Sequence, residues 1–342
     1  MLFGGIILFM IFYDRHNLKK HLINGLALLI FFFIIQTIFR IWYFGEYLPN
    51  TYYLKLTGYP VLLRIARGLS TTIENLWYMN WFLVLLPLIV LIKSQDKISK
   101  LIYFIFALQI SYSIYVGGDV WENWGGPNRY YVITMPLFFI LFLISIKYFT
   151  EMIIFHCGLK YKNIEKFLFV FLFILSFISF NSIKGLQSLK QVFFIESSLY
   201  IEEFKRHLQD AMLIKDITTK NAIIGVTSAG IIPYFSERDC IDFLGKNDKK
   251  IAKMKAALPP KNMKIWDKFT YFLPGHNKYD FIYSISKLPD INLATTDNEE
   301  YNKILKKNYF LTKDKNIMLL KNSKNILWDK VQANGLKLIN YK

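Results

Sequence analysis

Long apolar runs separated by short charged stretches dominate the first half of the chain. We count six runs, at residues 2–13, 22–41, 78–92, 101–116, 130–148 and 167–182. A helix needs about 20 apolar residues to span the hydrocarbon core of a bilayer. Several runs are shorter, but aromatic residues at their ends extend them into the membrane interface. The pattern therefore predicts an α-helical polytopic membrane domain over residues 1–183, with about six spans.

The second half is polar and lysine-rich, with short apolar runs bounded by turn residues. Four of these runs predict buried strands, at residues 221–226, 240–244, 279–285 and 316–320. Apolar spacing predicts helices over residues 197–214 and 249–258, and Pro259-Pro260 ends the second. Alternating strands and helices indicate a small α/β domain. We therefore expect residues 184–342 to form a soluble, extracytoplasmic α/β domain.

The charged loops predict the orientation of the spans. Residues 14–21, 93–100 and 147–166 are rich in lysine, and short loops of this kind stay on the cytoplasmic side. Residues 42–77, residues 117–129 and the chain after about residue 183 then lie outside. We therefore expect a multi-pass protein of a bacterial inner (plasma) membrane, with its C-terminal domain periplasmic or extracellular.

Composition narrows the class of protein. Hydrophobic residues make up 54% of the chain, which is too many for an ordinary soluble protein of 342 residues. The net charge of +17 is spread along the chain, so it favours anionic lipids or phosphate-bearing substrates over a nucleic acid. The two cysteines, Cys157 and Cys240, indicate no disulfide framework. The first apolar run is typical of the tail of a longer span, so a truncated start is expected.

Residues 40–69 are the first of three unusual segments on the predicted outer face. Basic residues alternate there with apolar residues at helical spacing, which is typical of a helix lying in the membrane interface. An interfacial anchor without any role in substrate binding is the alternative interpretation.

The second segment, residues 113–135, interrupts the apolar pattern with glycines, an acid, amides, an arginine and four aromatic residues. Aromatic faces and amides suit a sugar ring, a carboxylate can act as a base, and arginine binds phosphate in a bidentate manner. The aromatic residues alone could equally form an interfacial belt.

The third segment, residues 225–248, lacks the glycine spacing of a phosphate-cradling loop, so no nucleotide site is predicted. Downstream, His276 and Lys278 occupy a Pro-Gly turn that could meet a phosphate or could be a plain turn.

Other kinds of site are not indicated. The five histidines have no metal-ligand spacing, and neither a Walker loop nor a G-x-S-x-G elbow occurs. Charged residues are nearly absent from the apolar runs, which argues against a small transporter. A metal site is therefore not predicted from the residues.

Four segments follow one another in a recognisable order, at residues 47–60, 115–132, 228–248 and 274–280. The first contains Leu-Pro-Asn-Thr, Tyr-Tyr and Lys and directly follows the pair Gly45-Glu46. In the pattern that it resembles, Asp usually stands at the position of Glu46. The second contains Gly-Gly-Asp and then Arg-Tyr-Tyr, at Gly117, Gly118, Asp119, Arg129, Tyr130 and Tyr131. The third contains Ala-Gly-x-x-Pro-Tyr and Asp-x-x-Gly-x-x-Asp, at Ala229, Gly230, Pro233, Tyr234, Asp242, Gly245 and Asp248.

This series resembles the later part of GT-C membrane glycosyltransferases. It is most similar to the mycobacterial arabinofuranosyltransferase type that adds terminal residues, and to related bacterial proteins. The resemblance implies a polyprenyl-phosphate sugar donor, an inverting transfer and a glycolipid or cell-envelope glycan acceptor. A divalent metal occurs in this class, although no ligand cluster is visible here, so the cofactor is not predicted.

On this basis we expect three groups of site residues. The catalytic carboxylates are Asp119 and Glu46. The cations for the donor phosphate are Arg129, Lys55, Arg40, His276 and Lys278. Residues for the sugar or acceptor are Asn50, Tyr53, Trp121, Trp124, Asn128 and Tyr130.

One departure from the pattern keeps a second hypothesis open. Such enzymes carry a catalytic carboxylate in a first outer loop near the N-terminus, and nothing before Arg40 offers that loop. The chain then corresponds to the C-terminal part of an enzyme, with a partner chain supplying the rest. The alternative is a non-catalytic membrane protein whose outer domain binds a glycan or a partner subunit.

Overall fold

The computed structural model describes residues 2–78, 84–93, 96–124, 126, 128–158, 164–176, 190–191, 193–197, 200–313 and 315–341. This part of the chain is mostly helical, with one small sheet in the C-terminal region. It divides into two compact units that interleave in sequence. The first comprises Met1–Leu48, Tyr59–Glu196 and Pro259–Pro274, and the second comprises Pro49–Gly58, Ser197–Leu258 and Gly275–Lys342. The predicted domain boundary at residue 183 lies outside the described residues.

Within its described residues, the regular elements of the first unit are all helical. Its helices are α1 (Leu2–Tyr13), α2 (Arg15–Phe44), α4 (Val61–Tyr78), α5 (Leu88–Lys93), α6 (Lys97–Val116), α7 (Arg129–Val132), α8 (Met135–Cys157), α9 (Ile164–Ser176) and α13 (Ile265–Tyr271). A 3₁₀ turn, Val120–Trp124, lies between α6 and α7.

Three of these helices, α2, α6 and α8, are long and apolar enough to cross a membrane, and α1 is a shorter apolar helix. They contain the predicted runs 22–41, 101–116 and most of 130–148, so the prediction of apolar helices is confirmed there. The runs 78–92 and 167–182 fall partly outside the described residues. The length and composition of these three helices thus fit a membrane protein.

Local signals explain where these helices begin and end. The Asp96 carboxylate accepts a hydrogen bond from the Ser99 N–H (2.8 Å) and caps the start of α6. Helices α2 and α8 end at Gly45 and Gly158, both left-handed, a conformation that glycine adopts without strain. Helix α8 starts at Met135 rather than at residue 130, because Asn128 caps the separate short helix α7.

The described core of the first unit surrounds α8. Phe142 and Ile146 pack with Leu172 of α9 and with Leu86. A second cluster joins Leu141 to α5 and α6. By contrast, none of the most apolar part of α2 is buried within the protein. Its exposed phenylalanine and isoleucine side chains are therefore suited to contact with lipid acyl chains.

The second unit holds a six-stranded mixed sheet in the order β2-β1-β3-β5-β4-β6. The strands are β1 (Ile223–Val226), β2 (Asp239–Asp242), β3 (Ile291–Asn292), β4 (Tyr309–Thr312), β5 (Met318–Leu320) and β6 (Leu338–Asn340). β1 pairs in parallel with β2 and β3, and the other pairings are antiparallel. The helices of this unit are α3 (Asn50–Leu56), α10 (Ile201–Ile217), α11 (Ile231–Ser236), α12 (Lys249–Lys253), α14 (Phe281–Ile285), α15 (Glu299–Asn308) and α16 (Trp328–Ala333).

Two clusters of buried apolar residues form the core of this unit. Ile214, Ile224 and Leu319 belong to one cluster, and Phe243 and Tyr301 belong to the other. Alternation along the strands accounts for this, because successive side chains of a strand point to opposite faces.

The elements of the second unit agree with the sequence predictions in part. The predicted strands at residues 221–226, 240–244 and 316–320 and the helix at residues 197–214 are confirmed, with shifted ends. The predicted strand at residues 279–285 is wrong, because the Asp280 carboxylate accepts a hydrogen bond from the Tyr283 N–H (2.9 Å) and starts helix α14. The predicted helix 249–258 ends early, since Met254 adopts an extended backbone. Strands β3, β4 and β6 were not predicted.

Candidate functional site

The candidate site of the first unit is built on the turn that ends α6. Gly117 and Gly118 both have positive φ, and their N–H groups donate to the Ser113 carbonyl at 3.1 and 2.8 Å. A Cβ at Gly118 would lie 2.5 to 2.7 Å from side-chain atoms of Glu122, Thr71 and Arg67. Only glycine fits both this conformation and this space. The turn at the Gly-Gly pair thus directs the Asp119 side chain into the interior of the first unit.

Asp119 and Arg129 form a bidentate ion pair. Arg129 donates from Nε to Oδ2 (2.5 Å) and from Nη2 to Oδ1 (2.7 Å) of Asp119. The Asp119 side chain is 1% exposed, whereas that of Arg129 is 57% exposed. The hydrogen bonds that Arg129 donates to Asp119 raise the pKa of Arg129, and burial acts in the opposite direction. A buried carboxylate therefore holds an accessible guanidinium in a fixed orientation.

Aromatic rings adjoin this guanidinium. The Arg129 Cζ lies 5.9 Å from the ring centroid of Trp121, and Trp121 makes an edge-to-face contact with Trp124 at 5.6 Å. Tyr130 packs edge-to-face on Tyr112 at 5.4 Å. A fixed cation beside indole rings can bind an anionic group attached to a sugar ring.

Glu122 lies at the centre of a buried hydrogen-bond network that the predicted site residues did not include. Its carboxylate accepts from the Asp119 N–H (2.8 Å), from Asn128 Nδ2 (2.6 Å) and from Asn75 Nδ2 (2.8 Å). Burial raises the pKa of Glu122, and the hydrogen bonds from Asn128 and Asp119 offset part of that rise. This carboxylate organises the turn around Asp119.

Arg67 of α4 is a buried cation in the same network. It is 1% exposed, and its guanidinium donates to the carbonyls of Gly117 and Asp119 and to Asn123 Oδ1. Its Nη1 lies 3.7 Å from Glu122 Oε2. Burial lowers the pKa of Arg67, and Glu122 counteracts this.

The burial of Arg67 argues against an exposed basic face on the predicted interfacial helix within residues 40–69. Arg64 and Arg67 are both buried, so the basic face of α4 points into the first unit. Their three-residue spacing, which places both on one helix face, is the sequence signal that could have identified this.

The other predicted residues of this unit have differing surroundings. Asn128 is buried, and its amide is engaged by Ser113 Oγ (2.7 Å), by Glu122 and by the Tyr130 N–H (2.9 Å). This geometry favours a positioning role for Asn128 over the predicted sugar contact. Arg40 is in the last turns of α2, and Glu46 follows the glycine that ends α2. Their roles stay predictions.

In the second unit, Lys278 joins the segment Pro49–Gly58 to the rest of the unit. It is 1% exposed, and Nζ donates to the Tyr53 carbonyl (2.8 Å), Thr57 Oγ1 (3.0 Å) and the Ala252 carbonyl (2.9 Å). Burial lowers the pKa of Lys278. An ammonium has three N–H donors, so this geometry favours a structural role over the predicted phosphate contact.

Further contacts join the predicted site residues Asn50, Tyr53 and Lys55 to other parts of the second unit. Asn50 Nδ2 donates to the Lys246 carbonyl at 3.2 Å, and the ring centroid of Tyr53 lies 5.1 Å from Lys253 Nζ. Lys55 packs near Gly275, the residue before His276. The structure thus places the segment Pro49–Gly58 and the residues from Gly275 to Lys278 in the same unit.

A lysine-rich surface adjoins this region. Lys250 and Lys287 lie 3.7 and 4.3 Å from the ring centroid of Tyr283, and Lys287 also pairs with Asp248 at 2.6 Å. Burial alone would raise the pKa of Asp248, but the hydrogen bond from Lys287 keeps it below its ordinary value. This surface can bind anionic groups. Among the described residues, no group of three or more His, Cys, Asp and Glu side chains could hold a metal ion.

Comparison with known proteins gives one match. The sequence model of a family described as a domain of unknown function (DUF8728) matches residues 200–323. No curated protein and no solved structure matches the chain.

Proposed function

We propose that this chain is a membrane glycosyltransferase, or the C-terminal part of one, that uses a polyprenyl-phosphate sugar donor. The observation that carries the proposal is the exposed Arg129 guanidinium, which a buried Asp119 fixes beside Trp121. Phosphate and sugar are the two parts of such a donor, and this arrangement offers a binding group for each. The GT-C-like order of motifs in the sequence supports the same function.

The proposed transfer needs a base, a sugar acceptor and a stabilised leaving group. An acceptor hydroxyl attacks the anomeric carbon as the bond from that carbon to the phosphate oxygen breaks. The hydroxyl proton passes to a carboxylate, and the polyprenyl phosphate leaves. Arg129 stabilises the charge that develops on the phosphate, which is the kind of interaction that most lowers such a barrier.

The two predicted carboxylates have different proposed roles. Both oxygens of Asp119 accept hydrogen bonds from Arg129, so Asp119 is proposed to orient the cation. Glu46, or a carboxylate supplied by a partner chain, is proposed to accept the proton. Any divalent metal would be bound together with the donor phosphate.

The proposed location follows from the apolar helices and the lysine-rich loops. The chain spans a bacterial inner membrane several times, with residues 117–129 and the second unit on the outer face. The polyprenyl tail lies against the apolar helices, and the acceptor is a glycolipid or cell-envelope glycan. A nucleic acid is not a proposed partner.

A second candidate function is favoured by the lysine-rich surface around Tyr283. Two ammonium groups held at one ring can bind an anionic glycan without any transfer chemistry. The chain would then be a non-catalytic membrane protein that binds a glycan through its second unit.

A transfer assay separates the two candidates. The full chain is reconstituted in liposomes with a panel of polyprenyl-phosphate monosaccharides and a cell-envelope glycan extract. Transfer is expected with at least one donor, and the Arg129→Gln variant should lower its rate by roughly 100-fold or more. The Lys205→Gln variant, which loses an exposed lysine of α10, is the charge-matched control. Glycan binding with no transfer from any donor would favour the second function.

A further inference from the structure

A cavity of about 550 Å³ lies beside α8 and α9 in the first unit. Its volume is within the range of small-molecule sites, roughly 300 to 1,000 Å³. Residues from one face of each helix line it, namely Leu143, Ile144, Lys147, Thr150, Glu165, Lys166, Phe169 and Val170. The surface of the cavity is mostly apolar, although three of its eight lining residues, from both helices, are charged.

The cavity adjoins the seam where the two helices pack. Phe142 and Ile146 contact Leu172 and bury the neighbouring face of α8. The next positions around the helices are less covered, so Leu143 and Val170 stay 40% and 52% exposed. An apolar groove in this place is suited to an acyl chain.

Thr150 contributes a buried hydroxyl to the lining, and this hydroxyl needs a hydrogen-bond partner. Its residue is 1% exposed, and within the described part of the chain its hydroxyl has no hydrogen-bond partner. A helical threonine commonly bonds the carbonyl four residues earlier, but here that bond is absent. A buried hydroxyl without a partner is unfavourable, so a ligand that brings an acceptor oxygen would be stabilised.

The charged residues of the lining favour an anionic headgroup. The Lys147 side chain is 67% exposed and lies 4.0 Å from Glu151, and Lys166 is exposed on α9. Glu165 is the acid that contributes to the lining. Lysine stems can cover apolar surface while their ammonium groups reach a phosphate.

We propose that this cavity binds one anionic glycerophospholipid. An acyl chain occupies the apolar lining, Lys147 and Lys166 contact the headgroup phosphate, and a glycerol or ester oxygen accepts a hydrogen bond from Thr150. This site does not depend on the proposed sugar transfer, because none of its residues belongs to the Asp119–Arg129 site.

Thermal unfolding of the full chain in a neutral detergent tests the proposal. After delipidation, phosphatidylglycerol should raise the midpoint by roughly 5 °C at saturating concentration. Phosphatidylcholine with the same acyl chains should have little effect. A polyprenyl phosphate, which is proposed to bind at Arg129, should stabilise the chain equally whether or not the cavity residues are substituted.

Two kinds of variant then locate the effect. The double variant Lys147→Gln and Lys166→Gln removes the headgroup contacts, and Val170→Phe fills the groove while keeping both charges. Each should abolish the stabilisation by phosphatidylglycerol. The controls, Lys205→Gln with Arg206→Gln on the second unit and Ile133→Phe at an exposed apolar position, should retain it.

Three results would overturn the proposal. Equal stabilisation by phosphatidylcholine would mean that no anionic headgroup is recognised. Unchanged stabilisation in both kinds of variant would place the lipid elsewhere. No stabilisation by phosphatidylglycerol, together with a stabilisation by polyprenyl phosphate that both kinds of variant abolish, would assign the cavity to the sugar donor.

Discussion

At the residue scale, the ion pair between Asp119 and Arg129 separates a buried anchor from an accessible cation. Asp119 is nearly inaccessible, so its substitution affects both the orientation of Arg129 and the packing of the turn. Removing one partner of a buried hydrogen-bonded pair leaves the other without compensation. The same reasoning applies to Glu122 and Arg67, which are buried and hydrogen-bond to the backbone of this turn.

The first prediction concerns the pH dependence of stability. Burial raises the pKa of Glu122 above its reference value of 4.5, so the folded state binds a proton more tightly than the unfolded state. Glu122 therefore contributes a stability that falls as pH rises from about 4.5 to its folded pKa. Glu122→Gln should remove that slope in unfolding measurements across this range. Parallel pH profiles for the variant and the unmodified chain would contradict the assignment.

The second prediction concerns the glycines of the turn. Gly118→Ala places a Cβ against Glu122, Thr71 and Arg67 in a left-handed conformation, and should destabilise the protein by about 2–4 kcal/mol. Gly158 has a similar positive φ with nothing within 4 Å, so Gly158→Ala should cost only about 1 kcal/mol. Chemical denaturation compares the two, and equal losses would show that the space around Gly118 is not restrictive.

Much of this site could not be predicted from the sequence. The Gly-Gly-Asp motif and Arg129 stood out because they interrupt an apolar pattern. Arg67 did not, because a basic residue in an amphipathic helix is usually exposed, and its burial depends on carbonyls some 50 residues later in the chain. Asn128 was predicted to bind sugar, whereas its contacts lie within the protein.

At the element scale, apolar periodicity predicted the long helices well and the short elements poorly. Helices α2, α6 and α8 follow continuous apolar runs, which tertiary contacts do not alter. Residues 279–285 form a helix because of a single cap at Asp280, and strands β3 and β6 have only two and three residues. Such short strands depend on pairing partners that are distant in the sequence.

The third prediction belongs to the junction between α3 and α12. Lys278→Met removes three hydrogen bonds that join Tyr53, Thr57 and Ala252, and should destabilise the second unit by about 2–4 kcal/mol. Limited proteolysis should then cleave within residues 49–58 faster than in the unmodified chain. Lys255→Met, at an exposed position, is the matched control. Equal cleavage rates in the two variants would contradict the structural role of Lys278.

At the scale of the whole molecule, three apolar helices fit a membrane protein, and the orientation of the chain in the membrane is part of the proposed function. Cysteine labelling offers a direct test. Cys157 is exposed at the predicted cytoplasmic end of α8, whereas Cys240 of the proposed outer unit is only partly exposed.

The fourth prediction compares Cys157 with a cysteine introduced into the second unit. In intact cells, a membrane-impermeant maleimide should not label a chain that retains only Cys157, which is exposed at the end of α8. It should label a chain without native cysteines that carries Lys255→Cys at an exposed position of the second unit. Labelling only after cell lysis in both cases would contradict the outer location of the second unit.

The central claim is that Asp119 holds Arg129 to bind a polyprenyl phosphate, and direct binding tests it even if a partner chain supplies the base. The measurement is the dissociation constant of a polyprenyl phosphate for the full chain in detergent, for the unmodified protein, Arg129→Gln and Lys205→Gln. Loss of a bidentate, charge-assisted contact should weaken binding by roughly 10- to 100-fold in Arg129→Gln and leave Lys205→Gln unchanged. Equal affinities for all three proteins would contradict the claim.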